Sequence, residues 1–266
     1  MNSSKLTFVH ITDTHIYEDD QKVFEFSPDP PNKRARLLVE QIKQLPFDID
    51  FILHTGDVVW DPTVACYEKA TEILSALDQP IHYTIGNHDE AKMLQRVLLK
   101  KPDAEVTETY HYDVMVKGTR LIGLDGIHED IIPKATLPDD QLQWLDETCA
   151  QDESPLVIAI HHHPFPNDVG CVFLDQHMQL TNAKALHNIL KKHASRVRGV
   201  FFGHIHQSTT LMLDGIFYSG SASPSFHISS DETIEGIVVD PQGVPEFSVV
   251  RIDGPQTYLR RYPFQG

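Results

Sequence analysis

At 266 residues, 41% of them hydrophobic, the chain is long enough for one large α/β domain and too apolar to be disordered. A formal charge of −16 argues against gripping a nucleic-acid polymer, and no apolar run approaches the roughly 20 residues that span a bilayer. Cys66, Cys149 and Cys171 form neither a disulfide framework nor a Cys-x-x-Cys zinc pattern, so a reducing cytoplasm is the expected compartment.

Lys5 to Thr12 reads as a first strand rather than a signal peptide, and it ends in Asp13-Thr14-His15. An acidic, proline-bearing loop runs to Asn32. A helix from Lys33 to Leu45 follows, with Ala35, Leu38, Val39 and Ile42 at i, i+3, i+4 and i+7. Asp50 to His54 is a second strand ending in Thr55-Gly56-Asp57, and Thr63 to Leu77 a second helix. Ile81, Tyr83 and Ile85 alternate with polar partners into Gly86-Asn87-His88-Asp89, and Asp89 to Leu99 reads as helical.

Thr109 to Val116 and Arg120 to Leu124 flank Lys117-Gly118-Thr119 as a hairpin. Pro138 opens a helix with Leu142, Leu145 and Cys149 on one face. Pro155 to Ile160 is an apolar strand ending in His161-His162-His163. A helix from Asn182 to His193 leads to a strand from Val197 to Phe202, which ends in Gly203-His204-Ile205-His206. From Ser208 onward short β segments surround Asp214-Gly215, Asp240-Pro241 and Asp253-Gly254 turns; this tail packs on the core or faces a partner, as in a homodimer. No repeat or linker interrupts the chain, so residues 1–266 read as one domain of two packed sheets flanked by helices.

Five strands therefore each hand over to a metal-competent group: Asp13 with His15, Asp57, Asn87, His161, and His204 with His206. In extended backbone residues i and i+2 point the same way, so Asp13/His15 and His204/His206 can each reach one centre. Two carboxylates, an amide and four imidazoles without a thiolate suit iron, manganese or zinc. Two ions sharing these ligands would sit about 3.5–4 Å apart, with Asp57, alone at its strand end, as the natural bridge. His88 can bind a metal or move a proton, and Asp89 is a carboxylate able to orient it.

Taken together, Asp13-x-His15, Gly56-Asp57, Gly86-Asn87-His88-Asp89, His161 and Gly203-His204-x-His206 resemble the signature of the calcineurin-like metallophosphoesterases. Ile11 to His15, the triple histidine before Pro164, Gly170-Cys171 with Leu174 to His177, and Gly203 to Gln207 are similar to the bacterial class III cyclic-nucleotide phosphodiesterases. The resemblance covers roughly residues 6 to 220. It implies an α/β (α+β) fold, a four-layer α-β-β-α sandwich of two packed mixed sheets. It also implies one metal on Asp13, His15 and His206 and a second on Asn87, His161 and His204, with Asp57 bridging. A hydroxide between the metals would attack phosphorus, with Asn87 and His88 meeting the phosphate and His88 protonating the leaving oxygen. Val58-Val59-Trp60-Asp61 after Gly56-Asp57 lacks the Asp-Arg-Gly continuation of the protein serine/threonine phosphatases.

The expected activity is hydrolysis of a small-molecule phosphodiester, a 3′,5′-cyclic nucleotide such as cyclic AMP, to the 5′-monophosphate. The rival readings are a glycerophosphodiesterase using the same site and a non-catalytic metal-binding interaction module. His10, His54 and His82 lie inside strands and read as satisfied core residues; His162 and His163 read as supporting or solvent-facing. Arg34 and Arg36 read as solvated helix charges, Trp144 as packing, and Cys66 and Cys149 as buried inert thiols. Asn32 is a candidate loop asparagine of the family, and Gly170 to His177 is either plain loop or a substrate wall.

Overall fold

The first strand, Leu6–Ile11, buries both its faces. Leu6 and Phe8 enter one core while Val9 and Ile11 enter another, as the two-residue period of a strand requires. A sheet buried on both sides follows from this alternation. The computed structural model describes residues 5–24, 27, 29–129, 132–166, 172–231, 233 and 235–265, so Gly170 and Cys171 lie outside the described residues.

In chain order the strands are β1 (Leu6–Ile11), β2 (Phe51–His54), β3 (Ile81–Tyr83), β4 (Tyr112–Val116), β5 (Thr119–Gly123), β6 (Ile127–Glu129) and β7 (Ile132–Thr136). They continue as β8 (Leu156–Ala159), β9 (Val197–Phe202), β10 (Thr210–Leu213), β11 (Ile216–Gly220), β12 (Glu246–Asp253) and β13 (Gln256–Pro263). The helices are α1 (Pro31–Lys43), α2 (Val64–Leu74), α3 (Ala91–Met93), α4 (Asp139–Cys149), α5 (Val172–His177) and α6 (Ala183–Lys191).

Two mixed sheets result, ordered β13-β12-β1-β2-β3 and β10-β11-β9-β8-β5-β4, with β6 and β7 as a separate ribbon. Phe8, Phe51, Leu53, Val157, Phe201 and Val250 fill the space between the sheets. Helices α1 and α2 cover the outer face of the first sheet through Leu38, Ile42, Tyr67 and Leu74; α4 and α6 cover the second through Leu145, Leu186 and Leu190. The layers run α-β-β-α, and each fully buried Leu or Phe contributes about 1.5–3 kcal/mol.

The tail packs on the core. β10 and β11 extend the second sheet, while β12 pairs antiparallel with β1 and so places the chain's last strands in the first sheet. Several element ends shift by one to three residues, as in α2, which stops at Leu74 rather than Leu77, and two changes have a clear local cause. The strand expected from Thr109 starts at Tyr112, because the Tyr110 N–H donates to the Asp125 carboxylate at 2.6 Å instead of to a strand. The helix expected over Asp89 to Leu99 is α3 followed by a π turn at Leu94–Leu98. Glu90 caps it by accepting from the Lys92 and Met93 N–H groups.

A candidate metal centre

The backbone ladder does not stop where the strands do. After β1 and β2, Asp13 N–H donates to Gly56 O at 3.0 Å and His15 N–H to Asp57 O at 3.1 Å; after β8 and β9, Gly203 N–H donates to His161 O at 3.0 Å. The loops that follow neighbouring strands are thus held edge to edge, and their side chains are delivered to one end of the sandwich.

The pairs Asp13/His15 and His204/His206 do not converge through extended backbone, contrary to the expectation from sequence. Asp13, His15, Asp57, His204 and His206 all have positive φ, between 46° and 72°. Left-handed backbone is unfavourable for residues with a Cβ, and its concentration here is strain held by the surrounding ladder. Two glycines permit the crowding. A Cβ on Gly86 would stand 2.1 Å from Asp57 Oδ1, and one on Gly203 would stand 1.9 Å from Thr12 Oγ1.

The structure brings all seven metal-competent side chains together. The ligating atoms of Asp13, His15, Asp57 and His206 lie within 4.8 Å of one another, as do those of Asp57, His161 and His204, and Asp57 belongs to both groups. Asn87 Oδ1 joins the second at 3.1 Å from His161 Nε2. His15 Nε2 faces His206 Nε2 at 3.1 Å, His204 Nδ1 faces His161 Nε2 at 3.1 Å, and Asp13 Oδ1 lies 3.2 Å from His206 Nε2.

Neighbouring groups fix which atom four of these side chains offer. His161 Nδ1 donates to Thr55 O at 2.7 Å and His206 Nδ1 to Phe226 O at 2.9 Å, so Nε2 carries the lone pair in both neutral rings. Asp13 Oδ2 accepts from Thr12 Oγ1 at 2.6 Å and from His204 N–H at 2.9 Å, leaving Oδ1 without a hydrogen bond. Asp57 Oδ1 accepts from His88 N–H at 2.8 Å, which leaves Oδ2 toward His15 and His161. A buried focus of lone pairs is what a divalent cation requires, and the oxygen and nitrogen donors fit one.

Electrostatics point the same way. Burial raises the Asp13 and Asp57 carboxyls, but His206 beside Asp13 and His161 beside Asp57 more than reverse it, and both lie below the usual carboxylate range. Burial holds His15 and His204 well below the ordinary imidazole value. These are the protonation states of ligands. His161 is the exception: burial lowers it, yet Asp57 and Asp13 push it up to about 9, so a cation here competes with its proton.

The other sequence readings divide. Asp89 does not orient His88: its carboxylate accepts from the Gly86 and Val58 N–H groups at 3.0 and 3.1 Å and so ties together the loops that carry Asp57 and Asn87. His88 donates from Nδ1 to Trp60 O at 2.8 Å instead. His10 and His54 are buried core residues bonded to Thr55 and Thr14 hydroxyls, whereas His82 is only half-buried, against Phe51 and Tyr112.

His162 and His163 are buried rather than solvent-facing; the His162 ring packs 4.1 Å from that of His204, and His163 Nε2 lies 3.3 Å from Asp175. Asp175 sits on helix α5, so the described part of the Gly170 to His177 segment is not plain loop. Arg34 is no solvated charge, since it pairs with Asp29 at 2.6 Å with 14% of its side chain exposed; Arg36 is more open and pairs with Asp20 and Glu72. Asn32 is buried and pins the loop through Tyr17 and Asp20. Trp144 packs on the outer core, and Cys66 and Cys149 are free and buried, with burial pushing the Cys149 thiol up to about 11.

Above the cluster lies a pocket of about 300 Å³, with His15, Asp57, Asn87, His88, His204 and His206 on its polar side. Its other side is apolar and includes Trp60 and Phe226. Sequence reasoning missed Thr12, Ser223 and Phe226. Thr12 sits beside a ligand and was findable; Ser223 and Phe226 act from a distant loop, where Ser223 Oγ donates to Asp13 O at 2.7 Å.

Comparison with known proteins agrees with this geometry. Over 223 residues the chain is 27% identical to the 3′,5′-cyclic adenosine monophosphate phosphodiesterase CpdA of Vibrio vulnificus, covering 81% of this chain and 75% of that one. Over 216 residues it is 27% identical to CpdA of Escherichia coli, covering 80% and 74%. A solved dimetal phosphatase from Danio rerio shares the fold at 15% identity, with a TM-score of 0.70 over 96% of this chain and 95% of that one. The chain belongs to the calcineurin-like phosphoesterase family, whose model matches residues 6–208.

Proposed function

We propose that this chain is a metal-dependent phosphodiesterase that opens the 3′,5′-diester of cyclic nucleotides, cyclic AMP among them, to the 5′-monophosphate. The observation that carries the reading is the sharing of Asp57 by two groups of ligating atoms beneath one pocket. The CpdA relatives, named as cyclic AMP phosphodiesterases, support the choice of substrate.

In this reading Asp13, His15 and His206 would hold one divalent ion and Asn87, His161 and His204 a second, with Asp57 within reach of both groups. Bound ions would supply charge to offset the diester and a water acidic enough to act as nucleophile near neutral pH. The chain's own part is positional. Thr55 O and Phe226 O keep two imidazoles in the ligating tautomer, and Thr12 turns Asp13 Oδ1 inward. His88 lines the pocket with Nδ1–H committed to Trp60 O, so in the imidazolium form Nε2–H would be the donor that gives its proton to the 3′ oxygen as the P–O3′ bond breaks, leaving the neutral Nδ1–H ring.

The reading takes the whole chain as one domain, supported by β12 and β13, which pair into the sheet that contains β1. Free, buried Cys66 and Cys149 suit a cytoplasmic site of action. Among the described residues no helix is long and apolar enough to cross a membrane.

The test is turnover of cyclic AMP by manganese-reconstituted protein beside its Asp57→Ala variant. Formation of 5′-AMP that falls at least a thousandfold in the variant, with an unchanged circular dichroism spectrum, supports the mechanism. An active Asp57→Ala protein, or efficient glycerophosphodiester hydrolysis with negligible cyclic AMP turnover, contradicts the reading.

A further inference from the structure

One side of the pocket above the cluster takes no part in holding ions. Trp60, Phe226, Ile228, Ile237 and Val239 line it, and among the described residues lining the pocket there is no lysine or arginine. This wall is built, not incidental. Ile228 and Val239 form an antiparallel bridge, flanked by Ser229 N–H donating to Val238 O at 2.7 Å and Asp240 N–H donating to His227 O at 2.9 Å.

The wall is also tied to the ligands. Gln207, next after His206, donates from its side-chain amide to Ile228 O at 3.0 Å, and Phe226 O accepts from His206. The Phe226 ring stacks on His15 at 5.5 Å, and Trp60 packs between Phe24 at 4.2 Å and His88 at 4.7 Å. Any substituent of a phosphoester seated over the cluster therefore meets an apolar surface with two aromatic rings.

A glycerol's hydroxyls find few hydrogen-bond partners on this wall and a second phosphate finds no lysine or arginine among the described lining residues, whereas a flat uncharged ring buries its faces. We propose that this wall receives the nucleobase, and that it recognises the ring rather than its edge. The proposal rests on the phosphodiesterase reading and adds a substrate rule to it. Ring stacking is tolerant of base identity because every base presents a π face. Of the pocket's apolar side chains only Trp60, through its indole N–H, and Met178, through its weakly accepting sulfur, carry a polar atom, so the protein accepts adenine and guanine alike and discriminates against diesters without a ring.

Calorimetric binding of 5′-AMP, 5′-GMP and ribose 5-phosphate to manganese-loaded protein tests this without requiring turnover. The two nucleotides are expected to bind within about threefold of one another and at least tenfold more tightly than ribose 5-phosphate, a gap of about 1.4 kcal/mol or more. Ile237→Ser, at a half-exposed position whose change leaves the fold intact, and Val239→Ala should shrink that gap to two- or threefold while ribose 5-phosphate binding holds. Equal binding of nucleotide and ribose 5-phosphate overturns the proposal, as does an equal loss for all three ligands in the variants. A thirtyfold preference for one base overturns its edge-blind form. Ring-dependent binding without hydrolysis of any diester would sink the phosphodiesterase reading and leave the wall standing; hydrolysis with ring-independent binding does the reverse.

Discussion

Asp57 Oδ2 lies 3.4 Å from His161 Nε2 and 3.7 Å from His15 Nε2, so one carboxylate oxygen stands between imidazoles delivered by different sheets. Its other oxygen is fixed by the His88 N–H, which stops the carboxylate from rotating away. The site is thus assembled by long-range backbone pairing and only finished by side chains.

Thr12 is the simplest probe of that finishing. Its hydroxyl holds Asp13 Oδ2, and valine keeps the shape while removing the donor. Thr12→Val should weaken manganese binding by about 10–100-fold, with little change in the melting curve of metal-free protein. A competition titration with a chelating dye reads the first quantity, and wild-type affinity in the variant would mean that Asp13 needs no such support.

Gly203 tests the crowding. A Cβ there would also stand 2.5 Å from Asp13 Oδ2, so Gly203→Ala should cost about 1–3 kcal/mol of stability and at least tenfold in metal affinity. Gly118 is the control: its φ is +79° with nothing within 4 Å, so Gly118→Ala should cost about 1 kcal/mol and leave metal binding alone. Denaturant melts with and without manganese separate the two effects.

His88 should affect chemistry and not ion binding. His88→Asn is expected to lower kcat on cyclic AMP by about 10²–10⁴-fold while two ions still bind. Steady-state kinetics at saturating manganese check this, and a variant within a few-fold of wild type would remove His88 from the proton path.

Asp125 gives a pH signature remote from the ions. Burial pushes its carboxyl up to about 6, with the Tyr110 N–H pulling part of the way back. Between about pH 4 and 6 the folded protein therefore keeps a proton that the unfolded chain has lost, and stability falls as pH rises through that window. His10 and His54, held by burial at about 3 and 4, act oppositely and lose stability as pH falls below 6.5, so the useful quantity is a difference. Asp125→Asn minus wild type should be near zero at pH 4 and on the order of 3 kcal/mol stabilising above pH 7, measured by urea unfolding. A pH-independent difference would contradict the shift.

The cluster of metal-competent residues is legible in the sequence because each member follows an apolar strand, and parallel strands must end on one side. The means of convergence is not legible. No local pattern announces that Asp13, His15, Asp57, His204 and His206 turn left-handed, since that conformation is imposed by ladders between loops far apart in sequence. Asp89 misleads for a related reason: adjacency to His88 suggests an orienting carboxylate, while the fold gives it the Gly86 and Val58 N–H groups to satisfy. Phe226 and the wall beyond it come from the tail, where short turns carry no periodicity and contacts are set by tertiary pairing alone.

The most direct test is a crystal of manganese-soaked protein examined by anomalous scattering. Two peaks about 3.5–4 Å apart, with the Asp57 carboxylate touching both, are the predicted result. A single peak, or two peaks with Asp57 bound to neither, would contradict the shared-carboxylate centre.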